Sequence, residues 1–362
     1  MLTERSAVLE GVRKVAIREF QIPDIGAEEG LLKVEMAGVC GSDVKSYRGE
    51  FLLDKIPFIM GHEIFGHIEK IGKDVAMRYG VKEGDKVVVE GRIRCGNCYY
   101  CISGKYNLCE KAIYHSYGSQ PIEKPPHIWG AHGEYLYLAP GTMLHKVPED
   151  VSAEAAVLVC AVLGNAVKWV QTGIQEPVGK TIAILGPGAQ GLAATMVASE
   201  AGFNPIIIAG LESDSKRLDL SRSFGATHTT WEQGANLLEK ISEITNGRMA
   251  DVVMDLTGSA NGLETCLDLV RKLGVVVYPN IIGKKQATIT PDKLVEKELR
   301  LYGVFSRTFQ HVQRAIDLIR SGKYPVEKMV THIFPLEQAE QAYRVAGLEV
   351  KGEEPIKVVI RP

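Results

Sequence analysis

The stretch of sequence that decides the fold runs from Thr181 to Gly191 and reads TIAILGPGAQG. Its first five residues form an apolar run of the length of a buried strand, and the next six fit the pattern G-x-G-x-x-G. Such glycines allow a tight turn and let the backbone approach a pyrophosphate, which then faces the N-terminus of the following helix. The sequence therefore predicts a dinucleotide-binding turn made by Gly186, Pro187, Gly188, Ala189, Gln190 and Gly191.

The regions on either side of this turn differ in character. From about residue 181 to residue 277, apolar strands alternate with helices, which predicts a parallel sheet covered on both faces. The first 150 residues contain short β-branched runs separated by Gly and Pro, which is typical of a barrel-like or sandwich-like β domain. The alternating pattern ends near Asp292. We therefore expect an α/β protein with more than one domain.

The identity of the dinucleotide is less sharply indicated. In NAD sites a carboxylate roughly 20 residues beyond the glycines binds the ribose hydroxyls. The expected position lies near Gly210, which has no carboxylate, and Glu212 follows two residues later. Lys216 lies close enough in sequence to pair with the additional phosphate of NADP instead. Glu212 favours NAD as the cofactor, and NADP is not excluded.

Composition and charge exclude several classes of protein. The 362 residues carry 42 Lys and Arg against 44 Asp and Glu, so no basic excess indicates a nucleic-acid partner. The longest apolar stretch, near residues 155–167, is shorter than the roughly 18 residues of a membrane helix and contains Gly164 and Asn165. The charged first ten residues do not resemble a signal peptide. We expect a soluble, cytoplasmic protein without a membrane partner.

Seven cysteines carry the second chemical signal, because clustered cysteines in a reducing compartment indicate a metal more often than disulfides. Four of them, Cys95, Cys98, Cys101 and Cys109, fall within 15 residues. Four thiolates satisfy tetrahedral zinc and leave no open position, so this zinc would be structural. An iron–sulfur cluster is the rival interpretation, but no proline follows the last cysteine and there is no second cluster.

Two further cysteines could bind a second metal ion together with a histidine and a glutamate. Cys40 occurs in the segment GVCGSD, His62 and Glu63 occur in GHEIFG, and Cys160 lies in an apolar stretch nearly 100 residues later. A Cys, His, Cys set with a nearby carboxylate suits a catalytic zinc that keeps one open position. Spacing alone does not join these residues, and each one taken singly could equally be structural.

These motifs, in this order, resemble the zinc-dependent medium-chain alcohol and polyol dehydrogenases. The segment from Gly61 to Gly66, followed by Gly72 and Val75, matches the zinc signature of that family, and the four-cysteine lobe and the glycine turn match its other two motifs. The resemblance implies a GroES-like β-barrel catalytic domain at residues 1–162, with a structural-zinc lobe at about 91–113. It also implies a Rossmann coenzyme domain at 163–298 and a return to the catalytic domain at 299–362.

The same resemblance assigns a role to each candidate residue of the catalytic zinc site. Cys40, His62 and Cys160 would bind this zinc, and Glu63 would be either a direct ligand or one that exchanges at the ion. Together with the structural zinc of the four-cysteine lobe, this catalytic zinc gives two zinc ions per chain.

Three more residues receive roles from the resemblance. Asp43 would orient the His62 imidazole. Ser42 would contact the substrate oxygen and pass its proton outward, and Lys357 would lie near the coenzyme phosphates. Many relatives carry a histidine where this chain has Lys45, so we expect Lys45 to act electrostatically rather than as a proton shuttle.

The function implied is hydride transfer between an alcohol, such as a secondary alcohol, polyol or hydroxyketone, and a nicotinamide dinucleotide, in a homodimer or homotetramer. Two alternatives stay open. A zinc-free quinone or enoyl reductase of the same superfamily would not need the metal ligands retained here. A regulatory protein that binds zinc and nucleotide without catalysis would bind nucleotide but would turn over no alcohol.

Overall fold

The computed structural model describes residues 2–111, 116–283 and 285–362. The chain forms two compact units. The first unit comprises Met1–Ala161, Arg307–Ser321 and Val326–Pro362, and the second comprises Val162–Ser306 and Gly322–Pro325. The last two residues of the expected zinc lobe, at positions 112 and 113, lie outside the described part of the chain.

Sixteen strands are present in the described residues. They are β1 (Thr3–Gly11), β2 (Lys14–Gln21), β3 (Gly30–Gly38), β4 (Phe58–Ile59), β5 (Glu63–Ile71), β6 (Lys86–Glu90), β7 (Tyr135–Leu138), β8 (Leu144–Lys146), β9 (Ile182–Leu185), β10 (Ile206–Ala209), β11 (His228–Thr230), β12 (Ala250–Asp255), β13 (Val270–Tyr278), β14 (Arg300–Gly303), β15 (Val330–Pro335) and β16 (Lys357–Arg361).

Twelve α-helices are described as well. They are α1 (Gly41–Tyr47), α2 (Lys73–Tyr79), α3 (Tyr99–Ile102), α4 (Ala153–Leu158), α5 (Asn165–Gln171), α6 (Ala189–Ala201), α7 (Ser215–Arg222), α8 (Gly234–Ile244), α9 (Gly262–Leu269), α10 (Asp292–Glu296), α11 (Phe309–Arg320) and α12 (Ala339–Ala346). A π-helix at Val159–Gly164 joins α4 to α5.

The first unit is built on two sheets. Its larger sheet has the order β15-β16-β3-β5-β6-β8, with β7 also paired to β3, and its smaller sheet has the order β2-β1-β4. Strand β16 from the C-terminus pairs with β3 from the N-terminal segment, with Val359 opposite Gly38. This long-range pairing returns the end of the chain to the first unit, where it lies beside the strand that leads into Cys40.

The sequence pattern did not predict β1 of this unit, nor the short strands β4, β7 and β8. The first ten residues carry charges, and only the second strand of this hairpin has a recognisable apolar pattern. Ala7, Val8 and Leu9 are nevertheless fully buried. The helices α1 and α2 were also missed, because seven residues contain too few turns to show a helical period.

The second unit contains a six-stranded parallel sheet in the order β11-β10-β9-β12-β13-β14. This is the doubly wound order of dinucleotide-binding domains, and it confirms the predicted parallel sheet. Leu237 and Ile241 from α8 and Cys266 from α9 pack in its core, so Cys266 is a core residue. Strand β14 pairs with β13 and belongs to this sheet, so the return to the first unit begins later than the expected residue 299.

One helical run is long and apolar enough to cross a membrane by length and composition alone. It spans the 19 residues Ala153–Gln171, and an 18-residue window within it has a mean hydropathy of 1.6. This corrects the expected length of the apolar stretch, because the π-helix carries the helical backbone past Gly164 and Asn165. Since 78% of the window is buried inside the protein, the run has the character of a core helix.

Candidate functional site

The four-cysteine lobe brings its thiols together in a geometry that fits a metal ion. The Sγ atoms of Cys95, Cys98, Cys101 and Cys109 all lie within 4.8 Å of one another, and those of Cys95 and Cys101 are 3.8 Å apart. Zinc bound to four thiolates at about 2.3 Å places its sulfur atoms roughly 3.8 Å apart. The residues present therefore fit tetrahedral zinc.

The charge state of the lobe is also suited to a cation. Backbone amides, first that of Glu110 and then that of Cys101, lower the pKa of Cys98 to about 6. Burial raises the pKa of Cys101 to about 12, and the neighbouring thiols add to that rise. One thiolate is thus favoured without a metal, and a bound cation would stabilise the remaining ones.

A second constellation lies where the larger sheet meets α1. Cys40 is the N-cap residue of α1, and its backbone N–H donates to Asp43 Oδ2 at 2.8 Å. The other carboxylate oxygen of Asp43 lies 3.5 Å from His62 Nδ1, and His62 Nε2 lies 3.4 Å from Ser42 Oγ. The Cys40 thiol also contacts the His62 imidazole. The imidazole is therefore held from its Nδ1 side, with Nε2 directed toward Ser42.

Electrostatics strengthen this arrangement. Asp43 is buried, and burial alone would raise its pKa, but the positive charge of a protonated His62 and hydrogen bonds to the carboxylate lower it to about 2. Asp43 is therefore ionised at neutral pH. An ionised carboxylate that faces Nδ1 fixes the tautomer in which Nε2 is the free ligand atom.

Glu63 has a different charged partner from His62. Its carboxylate forms an ion pair with Lys357, whose ammonium also donates to the Val39 carbonyl at 3.0 Å. A Cβ at Gly38 would collide with the Glu63 carboxylate, so glycine is required where β3 passes the pair. Both side chains are buried, at 1% and 7% exposure for Glu63 and Lys357.

This ion pair bears on two assignments made from the sequence. Lys357 was expected near the coenzyme phosphates, but its ammonium is buried against Glu63 and the Val39 carbonyl in the first unit. The role of Glu63 as a direct or exchanging zinc ligand stays a prediction. In the structure its carboxylate pairs with that ammonium and lies within electrostatic reach of the Cys40 and Cys160 thiols.

Cys160 lies in the π-helix and is buried. Burial raises the pKa of its thiol to about 12, although the neighbouring Arg307 guanidinium opposes that rise. Arg307 is 7% exposed, and its Nε has no hydrogen-bond partner among the residues that the structure describes. Arg307 could not be predicted from the sequence, since an isolated arginine after a strand belongs to no motif.

The predicted catalytic zinc ligands are therefore brought only partly together. Within residues 2–111, 116–283 and 285–362, the four-cysteine lobe is the only cluster of three or more Cys, His, Asp or Glu side chains that could hold a metal ion as placed. Cys40 and His62 are in contact, Glu63 pairs with Lys357, and Cys160 interacts with Arg307. The donor set of two thiols and one imidazole fits zinc chemically.

The glycine turn lies between β9 and α6, at the carboxyl edge of the parallel sheet. Gly186 has φ +99°, and a Cβ at Gly191 would collide with the Gly186 carbonyl oxygen. A Cβ at Gly188, the N-cap residue of α6, would meet no atom of the described part of the chain within 4 Å. Two glycines are therefore needed for the turn itself, and the third leaves open space at a helix N-terminus, where an anion binds favourably.

The structure after β10 shows why position 210 has no carboxylate for the coenzyme ribose. A Cβ at Gly210 would lie 2.7 Å from the Pro187 ring, so no acidic residue fits there. Glu212 opens an exposed 3₁₀ turn two residues later, and Lys216 is exposed on α7. Asp214, which the sequence analysis did not consider, accepts a hydrogen bond from the Leu211 N–H at 2.9 Å and pairs with Arg217 at 2.7 Å.

Comparisons with known proteins agree with this architecture. Residues 26–149 match the alcohol dehydrogenase GroES-like domain, and residues 189–321 match the zinc-binding dehydrogenase domain. A probable alcohol dehydrogenase of Mycobacterium tuberculosis is 35% identical over 99% of this chain and 98% of its own length. A sorbitol dehydrogenase of Bacillus subtilis is 32% identical over 99% and 97%. The crystal structure of an alcohol dehydrogenase from Thermotoga maritima superposes with a TM-score of 0.88, at 27% identity and full coverage of both chains.

The chain belongs to the zinc-dependent medium-chain alcohol and polyol dehydrogenase family. The predicted fold class, a GroES-like domain with a Rossmann domain, is thereby confirmed. Within the family the chain is an enzyme, a zinc-type oxidoreductase of alcohols or polyols, and the two alternative functions are not favoured.

Proposed function

We propose that this enzyme interconverts the secondary hydroxyl group of an alcohol or polyol and the corresponding ketone, with NAD as the hydride acceptor. The observation that carries the proposal is the line from Asp43 through His62 to Ser42, which starts beside the Cys40 thiol. It combines a metal-ligand pair with a hydroxyl group that can take a proton from a substrate.

Cys40, His62 and Cys160 are the residues we assign to the catalytic zinc, and the four-cysteine lobe is assigned to the structural zinc. Zinc in the catalytic site supplies a Lewis acid that favours the deprotonated form of an alcohol. The task of Asp43 is to hold the imidazole so that Nε2 is directed away from the carboxylate. The Glu63 carboxylate stays with Lys357, so that no unpaired charge is buried beside the ligands.

Ser42 is the residue we assign to proton transfer. Its Oγ lies on the Nε2 side of His62 and is partly exposed, so its hydroxyl can accept a proton from a substrate oxygen and donate its own toward solvent. Lys45 lies one turn further along α1. A lysine is a poor shuttle near neutral pH unless its pKa is strongly lowered, so we assign Lys45 an electrostatic role.

The coenzyme is assigned to the turn from Gly186 to Gly191 and to the N-terminus of α6. A nicotinamide coenzyme supplies the hydride acceptor. Glu212 is the candidate for the ribose hydroxyls, and Lys216 is the candidate that would allow NADP. We further propose that the protein is cytoplasmic. We also propose that it forms a homodimer or homotetramer, because strand β14 leaves one edge of the second unit's sheet without a partner strand in the described part of the chain.

The decisive experiment measures turnover and metal content together. Reduction of NAD and of NADP is followed over a panel of secondary alcohols and polyols, and zinc is counted by elemental analysis. We expect turnover with NAD and about two zinc ions per chain. Cys160→Ser should lose one zinc ion and the activity, whereas Cys266→Ser, which alters a buried core thiol outside the site, should keep both.

Two outcomes would contradict the proposal. Nucleotide binding without turnover of any alcohol would favour the regulatory alternative. One zinc ion per wild-type chain, with full activity, would mean that the ligand set of Cys40, His62 and Cys160 is wrong.

A further inference from the structure

A buried hydrogen-bonded network surrounds Glu90, the last residue of β6. Glu90 is 2% exposed, and its Oε1 accepts from the Tyr106 hydroxyl at 2.7 Å and from His145 Nε2 at 3.0 Å. His145 in turn accepts at Nδ1 from the Gln313 amide at 2.9 Å. Glu90 Oε1 therefore has two hydrogen-bond partners, and the loss of either one would leave a buried carboxylate less well satisfied.

The strand end that carries Glu90 packs directly against the ligand His62. Glu90 lies opposite Glu63 in the β5–β6 register. A Cβ at the next residue, Gly91, would lie 2.7 Å from the His62 carbonyl oxygen and 3.0 Å from its Cβ. The Gly91 backbone thus approaches His62 closely enough for a shift of the end of β6 to reach the His62 backbone.

Tyr106 belongs to the four-cysteine lobe rather than to the sheet. It occupies a 3₁₀ turn between Cys101 and Cys109, and its ring packs in one small cluster with these two cysteines and Met143. The Arg94 guanidinium lies 5.9 Å from the ring centroid. The position of the Tyr106 hydroxyl therefore depends on the arrangement of the thiols around it.

We propose that Tyr106 is a positioning residue that couples the four-cysteine lobe to the catalytic metal site through Glu90 and Gly91. A metal in the lobe fixes the turn that carries Tyr106, the Tyr106 hydroxyl holds Glu90, and Gly91 then holds the His62 backbone. The inference rests on the proposed function, because it gives the lobe an effect on the affinity of the site of Cys40, His62 and Cys160.

The test removes one hydroxyl group. Tyr106→Phe is compared with Tyr99→Phe, which alters an exposed tyrosine of the same lobe. Zinc release to a colorimetric chelator is followed over time, and Cys98→Ser and Cys160→Ser variants assign the release phases to the lobe and to the catalytic site. We expect Tyr106→Phe to release the catalytic zinc at least tenfold faster than the wild type, while the lobe zinc is released at a nearly unchanged rate. Tyr99→Phe should behave like the wild type.

A second readout separates positioning from general loosening. Cobalt substituted at the catalytic site reports its ligand geometry by visible absorption, and we expect this spectrum to change in Tyr106→Phe and not in Tyr99→Phe. The Cys98→Ser substitution should alter the same spectrum in the wild type but add nothing in the Tyr106→Phe background, because both act through one path.

The inference is overturned if Tyr106→Phe releases both zinc ions at wild-type rates, or if it speeds both phases equally and leaves the cobalt spectrum unchanged. A wild-type chain that holds only the lobe zinc would instead overturn the proposed function. The two failures are therefore distinguishable.

Discussion

At the scale of single residues, the pair His62 and Glu63 shows what a motif can and cannot convey. The motif indicated both residues as possible metal ligands because they are neighbours in sequence. Their side chains have different partners, Asp43 and Ser42 for the imidazole and Lys357 for the carboxylate. The partner of a buried charge comes from a distant strand, so local sequence could not have named it.

Ser42 and Lys45 allow the proton route to be tested. We expect Ser42→Ala to lower kcat by roughly 100-fold, since positioned proton transfer contributes about 10²–10⁴-fold. Lys45→Ala should lower kcat by less than about tenfold, because its charge acts without carrying the proton. Steady-state kinetics between pH 6 and 9, on variants with unchanged melting temperature, provide the measurement. An equal loss of kcat in the two variants would mean that Lys45 also carries the proton, which would contradict its electrostatic role.

Glu4 provides a prediction about stability and pH. Its carboxyl group is fully buried beside the Ser6 hydroxyl, and burial raises its pKa to about 7. The folded protein then holds a proton that the unfolded chain has already released, so the free energy of unfolding falls as pH rises from about 4.5 to about 7. The shift corresponds to roughly 3 kcal/mol.

Glu4→Gln should remove this pH dependence because glutamine does not ionise. Chemical denaturation at pH 5 and pH 8 should show the wild type losing up to about 3 kcal/mol relative to the variant on going to the higher pH. Glu19→Gln, an exposed site on β2, is the matched control and should follow the wild type. A difference between Glu4→Gln and wild type that is the same at both pH values would argue against a buried titrating carboxyl group.

At the scale of elements, the predictable parts were those with a long apolar period or a turn that needs glycine. Strand β9 and helix α6 lie where the pattern around Gly186 predicted them. The missed strand β1 and the missed helices α1 and α2 have no such period, and tertiary packing determines their structure. The π-helix that carries Cys160 was also not predictable, since its backbone differs from that of an α-helix without any change in composition.

The glycine turn separates two roles that one motif combines. In Gly191→Ala the new Cβ collides with the Gly186 carbonyl oxygen, and we expect a loss of about 1–3 kcal/mol of stability. In Gly188→Ala the new Cβ enters open space at φ −68°, so the melting temperature should not change. The same methyl group stands where a pyrophosphate would approach α6, so KM for NAD should rise at least tenfold.

Thermal unfolding and coenzyme titration of both variants provide the measurements. A Gly188→Ala variant with an unchanged KM for NAD would mean that the pyrophosphate does not approach this backbone. A Gly191→Ala variant as stable as the wild type would mean that the turn can relax around the new methyl group.

At the scale of the whole molecule, the sequence indicated two kinds of domain but not where the chain passes from one to the other. The resemblance placed the return at residue 299, whereas β14 continues the parallel sheet to Gly303. The pairing of β16 with β3 joins segments more than 300 residues apart. The tertiary fold determines which distant strands pair, so no local sequence pattern predicts such a pairing.

The free edge of β14 leads to the final prediction, which concerns assembly. This strand pairs only with β13 in the described part of the chain, and Leu301 on it is 39% exposed. An open edge with unpaired backbone groups is a template for a second strand. We expect light scattering after size exclusion to give two or four times the chain mass of 39.6 kDa. Leu301→Lys places a charge beside this edge and should weaken association at least tenfold, whereas Val295→Lys, at an exposed site on α10, should not. A wild-type mass of one chain at micromolar concentration would show that the edge stays open.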